Sequence, residues 1–324
     1  MDFRTIYKPQ KSKFDISHNS KILMLGSCFA ENIGDCLLKN KFNTLINPFG
    51  IVFNPLSIEK SINRLINGEL YKNEELSFFN ELWLSLDHHG RFSDKSKNIS
   101  LQKINNEFAE AQEFIKKANI IIITLGSAHV YKYNKTGHIV SNCHKIPSKE
   151  FTKELITIET ITDGYTKLFE KLFEINKNVK IIFTISPVRY LSDGFEQNQL
   201  SKSILNVAIH NLCNNFKNVT YFPAYEIIMD DLRDYRFFAN DMLHPSALSI
   251  EYIWNMFSNT YFSESTKKLI LEIQEIKKAM KHKPFNSETE AYKSFLDNNK
   301  NAIINLSKTN PNIDFSEELE FFKL

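Results

Sequence analysis

The sequence lacks the features by which several protein classes are recognised. Its four cysteines are scattered and form no C-x-x-C pair, so neither a disulfide framework nor a paired zinc motif is indicated. No apolar run approaches the roughly 18 residues that a membrane-spanning helix needs. The 40 basic and 38 acidic residues leave a net charge of +2, which would gather neither nucleic acid nor an anionic membrane.

Signatures of nucleotide binding and of export are also missing. No G-x-x-x-x-G-K segment is present, and no G-x-G-x-x-G follows a predicted strand, so we expect no nucleotide and no other cofactor. Leu25-Gly26-Ser27-Cys28 looks like a lipoprotein cleavage box. The residues before it are polar and charged, however, where a signal peptide needs an apolar run. We therefore expect a soluble, cytoplasmic protein with reduced thiols and with no membrane or nucleic-acid partner.

Short apolar runs alternate with amphipathic stretches, which is the pattern of a parallel sheet with helices on both faces. We expect a three-layer α/β/α, flavodoxin-like fold with a five-stranded parallel sheet. The five predicted strands are residues 22–25, 44–46, 120–125, 179–185 and 219–222.

Two regions are expected to be insertions in this fold. Residues 69–100 are aromatic and irregular, and residues 129–142 are predicted to form a hairpin across an Asn-Lys-Thr-Gly turn. Insertions beyond strand ends often carry substrate-recognition loops.

The end of the chain is helical and charged. We expect a main domain at residues 1–258 and a helical extension at residues 259–324, in which Ser287 and Glu290 are predicted to form a capping box. This extension is predicted either to fold back on the core or to form a homodimer.

The junction after the first strand is a candidate for nucleophilic chemistry. Gly26 permits a sharp turn, and Cys28 then lies in the first turn of a predicted helix. Unpaired N–H groups and the helix dipole favour thiolate at such a position and are able to hold an oxyanion. The simpler interpretation is that Ser27 caps the helix and Cys28 is a small buried residue.

A second candidate precedes the predicted helix that begins near Ser246. Asp241 and His244 are separated by three positions in a predicted turn. A carboxylate there is able to accept the imidazole Nδ1–H, which leaves Nε2 free as a general base. A surface histidine with Asp241 as a simple cap is the alternative, because D-x-x-H is a common pattern.

Together the two candidates resemble the SGNH hydrolases, in which a G-D-S-L segment follows a strand and a D-x-x-H segment supplies acid and base. The chain looks like the GSCFA branch, over residues 20–258. The segments that carry the resemblance are Gly26-Ser27-Cys28-Phe29-Ala30, Asn47-Pro48-Phe49-Gly50-Ile51, Thr124-Leu125-Gly126, Asn142-Cys143-His144-Lys145, Ser186-Pro187-Val188-Arg189 and Leu232-Arg233-Asp234-Tyr235-Arg236-Phe237.

The resemblance implies an SGNH-type fold and a catalytic set. Overlaying G-S-C-F on G-D-S-L puts Cys28 in the nucleophile position, with His244 as base and Asp241 as its orienting partner. Ser27 is the second choice as nucleophile. A thiol is partly ionised near neutrality and needs less help from the base than a hydroxyl does.

The resemblance also implies an oxyanion hole with three donors. Gly50 fits the glycine donor of the second block. The asparagine of the third block is replaced, because the chain reads Gly126-Ser127-Ala128-His129 there. Ser127 and Asn142 are the candidate substitutes, and we prefer Ser127 because it lies nearer the strand end.

Further residues are candidates for substrate binding. Trp83 and His88 are expected in a lid that faces a carbohydrate or acyl group, with ordinary core packing as the alternative for Trp83. Asn142, His144 and Lys145 are loop candidates, with a solvated loop as the alternative. Arg189 is expected either to bind an anion or to pair with a buried carboxylate.

A zinc site near Cys143 is not expected. The nearby histidines and this cysteine match no standard ligand spacing, and adjacent residues such as Cys143 and His144 point apart on an extended strand.

Three functions remain open at this point. The first is a hydrolase of ester or thioester bonds, and the second is an acyltransferase to a carbohydrate hydroxyl. The third is a non-catalytic binding module on the same fold. The expected substrate for either enzyme is a small-molecule or carbohydrate acyl ester.

Overall fold

The computed structural model describes residues 4–322, which divide into two compact units. The first unit comprises the residues up to Lys8, Lys21–Gly34 and Thr44–Asn255. The second unit comprises Pro9–Ser20, Asp35–Asn43 and the chain from Met256 onward. The sequence predicts a C-terminal extension alone, whereas the second unit also includes two segments from the first part of the chain. The sequence could not show this, because it does not reveal contacts between distant segments.

The first unit contains a five-stranded sheet in the order β2-β1-β5-β9-β10. This is the flavodoxin-like strand order, so the predicted fold class is confirmed. The pairings β1–β5, β5–β9 and β9–β10 are parallel. The strands are β1 Lys21–Gly26, β2 Asn43–Ile46, β5 Ile120–Leu125, β9 Lys180–Ile185 and β10 Val219–Phe222.

Burial explains why the apolar runs predicted the central strands. All six residues of β5 are buried, and so are five of the six residues in β1 and in β9. Helices on both faces supply this burial, as a parallel sheet requires. The carboxyl ends of β1, β5 and β9 therefore lie side by side at one edge of the sheet.

Helices connect the strands, and their ends follow ordinary capping rules. The Asn54 side chain accepts a hydrogen bond from the Ser57 N–H, and Gly68 ends the same helix with φ of 73°. The helices are α1 Cys28–Lys39, α2 Pro55–Asn67, α3 Lys97–Lys117, α4 Ile158–Ile175, α5 Gly194–Asn215, α6 Ala224–Glu226, α7 Ala247–Tyr261, α8 Glu264–Met280, α9 Glu290–Thr309 and α10 Ser316–Phe321.

The two predicted insertions contribute strands to two short antiparallel sheets, and the second sheet extends beyond the predicted bounds of 129–142. In the first, β3 Ser77–Phe79 pairs with β4 Leu82–Leu84. In the second, β6 His129–Tyr133 lies between β7 Ile139–Val140 and β8 Phe151–Leu155. The predicted hairpin is the β6–β7 pair, in which Tyr131 faces Val140.

The C-terminal helices α8, α9 and α10 share an apolar cluster within the second unit. The predicted capping box is wrong. Helix α9 begins at Glu290, and the Thr289 side chain caps it by accepting a hydrogen bond from the Tyr292 N–H. Ser287 lies in the turn before the helix, where its hydroxyl contacts Glu288. The buried residues of the cluster are Ile273, Ile276, Leu296, Ile303, Ile313, Phe315 and Phe322.

Across residues 4–322, no helix combines the length and the apolar character that a bilayer-spanning segment would need.

Candidate active site

The turn after β1 holds Ser27 inside the protein and leaves Cys28 partly accessible. At Gly26, φ is 148°, and a Cβ would lie 2.4 Å from the Thr124 carbonyl oxygen, so only glycine fits. The Ser27 N–H donates to that same carbonyl, and the Ser27 hydroxyl accepts from the Phe29 N–H at 3.2 Å. Ser27 is therefore a buried helix cap, and α1 begins at Cys28.

The thiol of Cys28 is more basic than the sequence suggests. Burial raises its pKa, and the neighbouring Glu31 carboxylate raises it further. The N–H groups of Phe29 and of Cys28 itself, together with the Lys202 ammonium, act in the opposite direction. Because the pKa is raised overall, the resting group is a thiol. The expectation of a favoured thiolate is wrong, since desolvation outweighs the helix terminus.

Asp241 and His244 form the predicted pair. The His244 Nδ1 lies 2.6 Å from Asp241 Oδ2, while Asp241 Oδ1 accepts the N–H groups of Leu243 and His244. These N–H bonds, with that of His244 first, lower the pKa of Asp241 to about 2. The carboxylate is therefore ionised at any working pH and holds the imidazole with Nε2 outward. The side chains are 48% and 47% exposed for His244 and Asp241.

Arg189 anchors the loop that carries this pair. Its guanidinium donates to the Met242 carbonyl, and its N–H donates to the Leu243 carbonyl at 3.2 Å. The guanidinium carbon lies 4.5 Å from the ring centre of Phe238. Arg189 is buried, and the contacts above join it to this loop, while its predicted role in substrate binding stays a prediction.

The sheet brings the two halves of the candidate site to one edge. Cys28 follows β1, and Arg189, which follows β9, binds the loop of His244. Both strands flank β5 in parallel. Within the described residues, no hydrogen bond joins His244 to Ser27 or Cys28, and His244 Nε2 has no partner there.

The three oxyanion candidates are engaged in local turns. The Gly50 N–H donates to the Asn47 carbonyl at 2.7 Å. The Ser127 hydroxyl accepts from the His129 N–H at 3.0 Å, and Asn142 Oδ1 accepts from the His144 N–H at 2.8 Å. Their predicted role stays a prediction, because these bonds do not aim a donor at the thiol.

His88 belongs to the core of the first unit. It is 1% exposed, its Nδ1 lies 2.8 Å from the Ser85 hydroxyl, and the rings of Phe49, Tyr71 and Phe92 surround it. Burial lowers its pKa to about 3, so the ring is neutral. Such a side chain has no surface to offer a substrate.

The remaining substrate candidates lie in the first insertion and just after the second. Trp83 is half-buried against the core, and the Lys97 ammonium lies 4.4 Å from its ring centre. His144 Nε2 lies 2.8 Å from the Ser85 carbonyl oxygen, which ties its loop to the first insertion. Lys145 is exposed, with φ of 63°.

Lys202 is a further residue near the thiol that sequence reasoning missed. It is buried, and its ammonium donates to the carbonyls of Gly126 and Ser186 at 2.7 Å each, just beyond β5 and β9. Burial lowers its pKa to about 7, while Cys28 acts in the opposite direction. The sequence pattern that could have identified Lys202 is its position on the apolar face of α5, one turn before Leu205.

No metal cluster is formed by the described part of the chain. Cys28, Cys143 and Cys213 form no disulfide there. Residues 4–322 contain no group of three or more His, Cys, Asp or Glu side chains arranged to hold a metal ion.

Comparison with known proteins places this site in a family. Residues 21–257 match the GSCFA family, and residues 273–324 match the GSCFA domain protein, C-terminal domain. No curated protein matches the chain.

Similar solved structures have low identity. A Clostridium thermocellum family 3 carbohydrate esterase is 12% identical, covers 78% of this chain and 97% of its own, and has a TM-score of 0.36. A mutant acetyl esterase with acetate ion is 11% identical, covers 79% and 99%, and has a TM-score of 0.36. A Talaromyces cellulolyticus carbohydrate esterase of family 3 is 10% identical, covers 79% and 99%, and has a TM-score of 0.34. On the family match, this chain belongs to the GSCFA family.

Proposed function

We propose that this protein hydrolyses ester or thioester bonds with Cys28 as nucleophile, His244 as general base and Asp241 as the residue that orients the base. The observation that carries the proposal is the Asp241–His244 pair, which has a 2.6 Å bond on Nδ1 and an unpartnered Nε2. Its loop is bound to the segment after β9 by Arg189, at the edge where Cys28 opens α1.

Because the pKa of Cys28 is raised, a base must remove the thiol proton during attack. His244 Nε2 takes the thiol proton as the sulfur attacks the acyl carbonyl. The leaving alcohol or thiol then takes that proton from the imidazolium, and an acyl-thioester remains on Cys28. In the second half, His244 takes a proton from water and the resulting hydroxide attacks the thioester. The C–S bond then breaks as the imidazolium returns that proton to the Cys28 sulfur, and the acid is released.

Burial favours Cys28 over Ser27 as nucleophile. The Ser27 hydroxyl is buried, and it already accepts the Phe29 N–H as a helix cap. The Cys28 side chain is partly accessible. A nucleophile must reach the acyl carbon, so the partly accessible thiol is the better candidate.

Exposure of the base favours hydrolysis over transfer to a sugar hydroxyl. About half of the His244 side chain is open to solvent, and transfer benefits from a site that excludes water. The proposed substrate is a small-molecule or carbohydrate acyl ester, and the proposed location of the reaction is the cytoplasm.

Trapping of an acyl-enzyme tests the proposal. The protein is incubated with a short-chain activated ester, quenched in acid, digested and mapped by mass. We expect one acyl group, on Cys28, which disappears in Cys28→Ala and in His244→Ala. Cys143→Ala is the matched control, because Cys143 is also a half-exposed thiol whose pKa is raised by burial.

The other outcomes separate the alternatives. An adduct on Ser27 would replace the nucleophile and keep the reaction class. Acyl release that requires a sugar acceptor would indicate a transferase. Absence of both adduct and turnover over several acyl lengths would contradict the enzyme and favour a binding module.

A further inference from the structure

The third donor of the oxyanion hole is missing from the segment after β5. Ala128 stands where related enzymes have asparagine, and its N–H donates to the Ser201 hydroxyl at 2.7 Å. The Ser127 hydroxyl accepts from the His129 N–H and lies 3.2 Å from the same Ser201 hydroxyl. Neither residue therefore aims a free donor at the sulfur.

A tyrosine hydroxyl from another segment lies at the end of β5. A Cβ on Gly126 would lie 2.8 Å from the Tyr190 hydroxyl oxygen and 2.9 Å from the Phe53 Cβ. Glycine at this position therefore allows the hydroxyl to lie directly over the backbone that ends β5.

The sheet register brings that backbone next to the nucleophile turn. Gly26 is the β1 partner of Thr124. Gly126 is two residues beyond Thr124, and Cys28 is two residues beyond Gly26. Because the strands are parallel neighbours, the hydroxyl over Gly126 and the thiol lie at adjoining strand ends.

The Tyr190 ring is held in one orientation. It stacks on the Phe53 ring with 5.0 Å between ring centres, and its backbone N–H donates to Asn198 Oδ1 at 2.9 Å. The Lys202 ammonium lies 5.1 Å from the ring centre. A side chain restrained in this way is a preorganised donor, which loses little entropy when it binds.

The hydroxyl itself is available as a donor. It makes no hydrogen bond with any residue in the range 4–322. Burial, and then the proximity of Cys28, raise the pKa of Tyr190 above its ordinary value of 10.0, so the proton stays on the oxygen.

We propose that the Tyr190 hydroxyl donates a hydrogen bond to the oxyanion that forms when Cys28 attacks the acyl carbonyl, and so replaces the missing asparagine. The role rests on the proposed function, since it requires a tetrahedral intermediate on Cys28. Tyr190 would then be a catalytic residue contributed by the segment after β9, on the opposite side of β5 from the nucleophile.

The test compares two reactions of the same thiol. Acylation by an activated ester passes through an oxyanion, whereas alkylation by iodoacetamide displaces iodide and forms none. In Tyr190→Phe, we expect the kcat/KM for ester turnover to fall by about 100-fold, as for loss of one oxyanion donor. Alkylation of Cys28 should stay within about twofold of the wild-type rate, since that step does not use the donor.

Tyr225→Phe is the matched control. The Tyr225 ring also lies beside the Lys202 ammonium, at 5.4 Å, but its hydroxyl binds Gln199 and not the strand end. We expect ester turnover by Tyr225→Phe to stay near the wild-type value.

Each outcome decides between the two proposals. Unchanged ester turnover in Tyr190→Phe, with active wild-type enzyme, would overturn the role of Tyr190 and leave the proposed function intact. Equal losses in ester turnover and in alkylation would indicate a structural role and would overturn it too. A wild-type protein with no acyl-Cys28 and no turnover would overturn both proposals.

Discussion

Replacing Asp241 by asparagine should remove the base without removing the loop. In the native turn, Asp241 Oδ1 accepts the N–H groups of Leu243 and His244, and an amide oxygen is able to keep both bonds. The second oxygen, 2.6 Å from His244 Nδ1, becomes an NH2 group. A donor at that place forces Nδ1 to accept, so the ring proton moves to Nε2, which then cannot take the proton of Cys28.

The expected fall in the acylation rate of Asp241→Asn depends on what a general base contributes and on the exposure of His244. General-base catalysis contributes about 10²–10⁴-fold to a rate. Because the His244 side chain is half-exposed, water has access to the ring, which offsets part of the loss. We therefore expect the rate of enzyme acylation in Asp241→Asn to fall by about 10²–10³-fold. The deficit should persist at pH 9 and narrow only as the pH rises beyond that toward the raised pKa of Cys28, where thiolate forms without a base.

The assay is the burst of leaving group from an activated ester, measured by stopped flow between pH 6 and pH 10. The matched control is Asp234→Asn, since Asp234 also accepts a backbone N–H two residues later, that of Arg236, in an exposed turn. We expect the control to keep the wild-type burst rate. The reasoning would be refuted if Asp241→Asn acylated within about threefold of wild type at pH 7.

Two further predictions concern groups around this pair. Arg189→Met should lower ester turnover by about tenfold or more, because the Met242 carbonyl loses its donor and the loop shifts. Arg189→Lys should keep more of the turnover than Arg189→Met does. Equal turnover by the wild type and both variants would contradict the anchoring role. The rate of Cys28 alkylation by iodoacetamide, measured by peptide mapping, should rise with pH and show no plateau below pH 9.0, the ordinary pKa of a thiol. Burial raises the pKa of Cys28 above that value. A plateau of the rate near neutral pH would contradict a raised pKa.

The fold was predictable because buried strands and helix ends require particular residue types at consecutive positions. Residues 120–125 form an unbroken apolar run since β5 is covered on both faces. Asn54 and Gly68 mark the ends of α2 because capping depends on the residue at the end of the helix itself. The start of α9 was misjudged, because Ser287 and Thr289 are both good caps, and the choice between them depends on the path of the preceding turn.

The candidate site was predictable where its contacts are short in sequence. Asp241 and His244 are three residues apart, so their hydrogen bond follows from one turn. The contacts of Arg189 with Met242 and of Tyr190 with Gly126 join residues more than 50 positions apart. No local pattern specifies such pairs, so the contacts of Arg189 with the loop of His244 could not be predicted from the sequence.

By itself, the sequence determined the order of strands and helices, the Gly26 turn that exposes Cys28, and the Asp241–His244 pair. Only the tertiary structure decided the protonation state of the thiol, because the pKa of Cys28 depends on how much solvent the packed chain removes. It also decided which side chains lie at the strand ends. The ends of β1, β5 and β9 meet only in the folded sheet, where the Tyr190 hydroxyl lies over Gly126 and the Lys202 ammonium binds the Gly126 and Ser186 carbonyls.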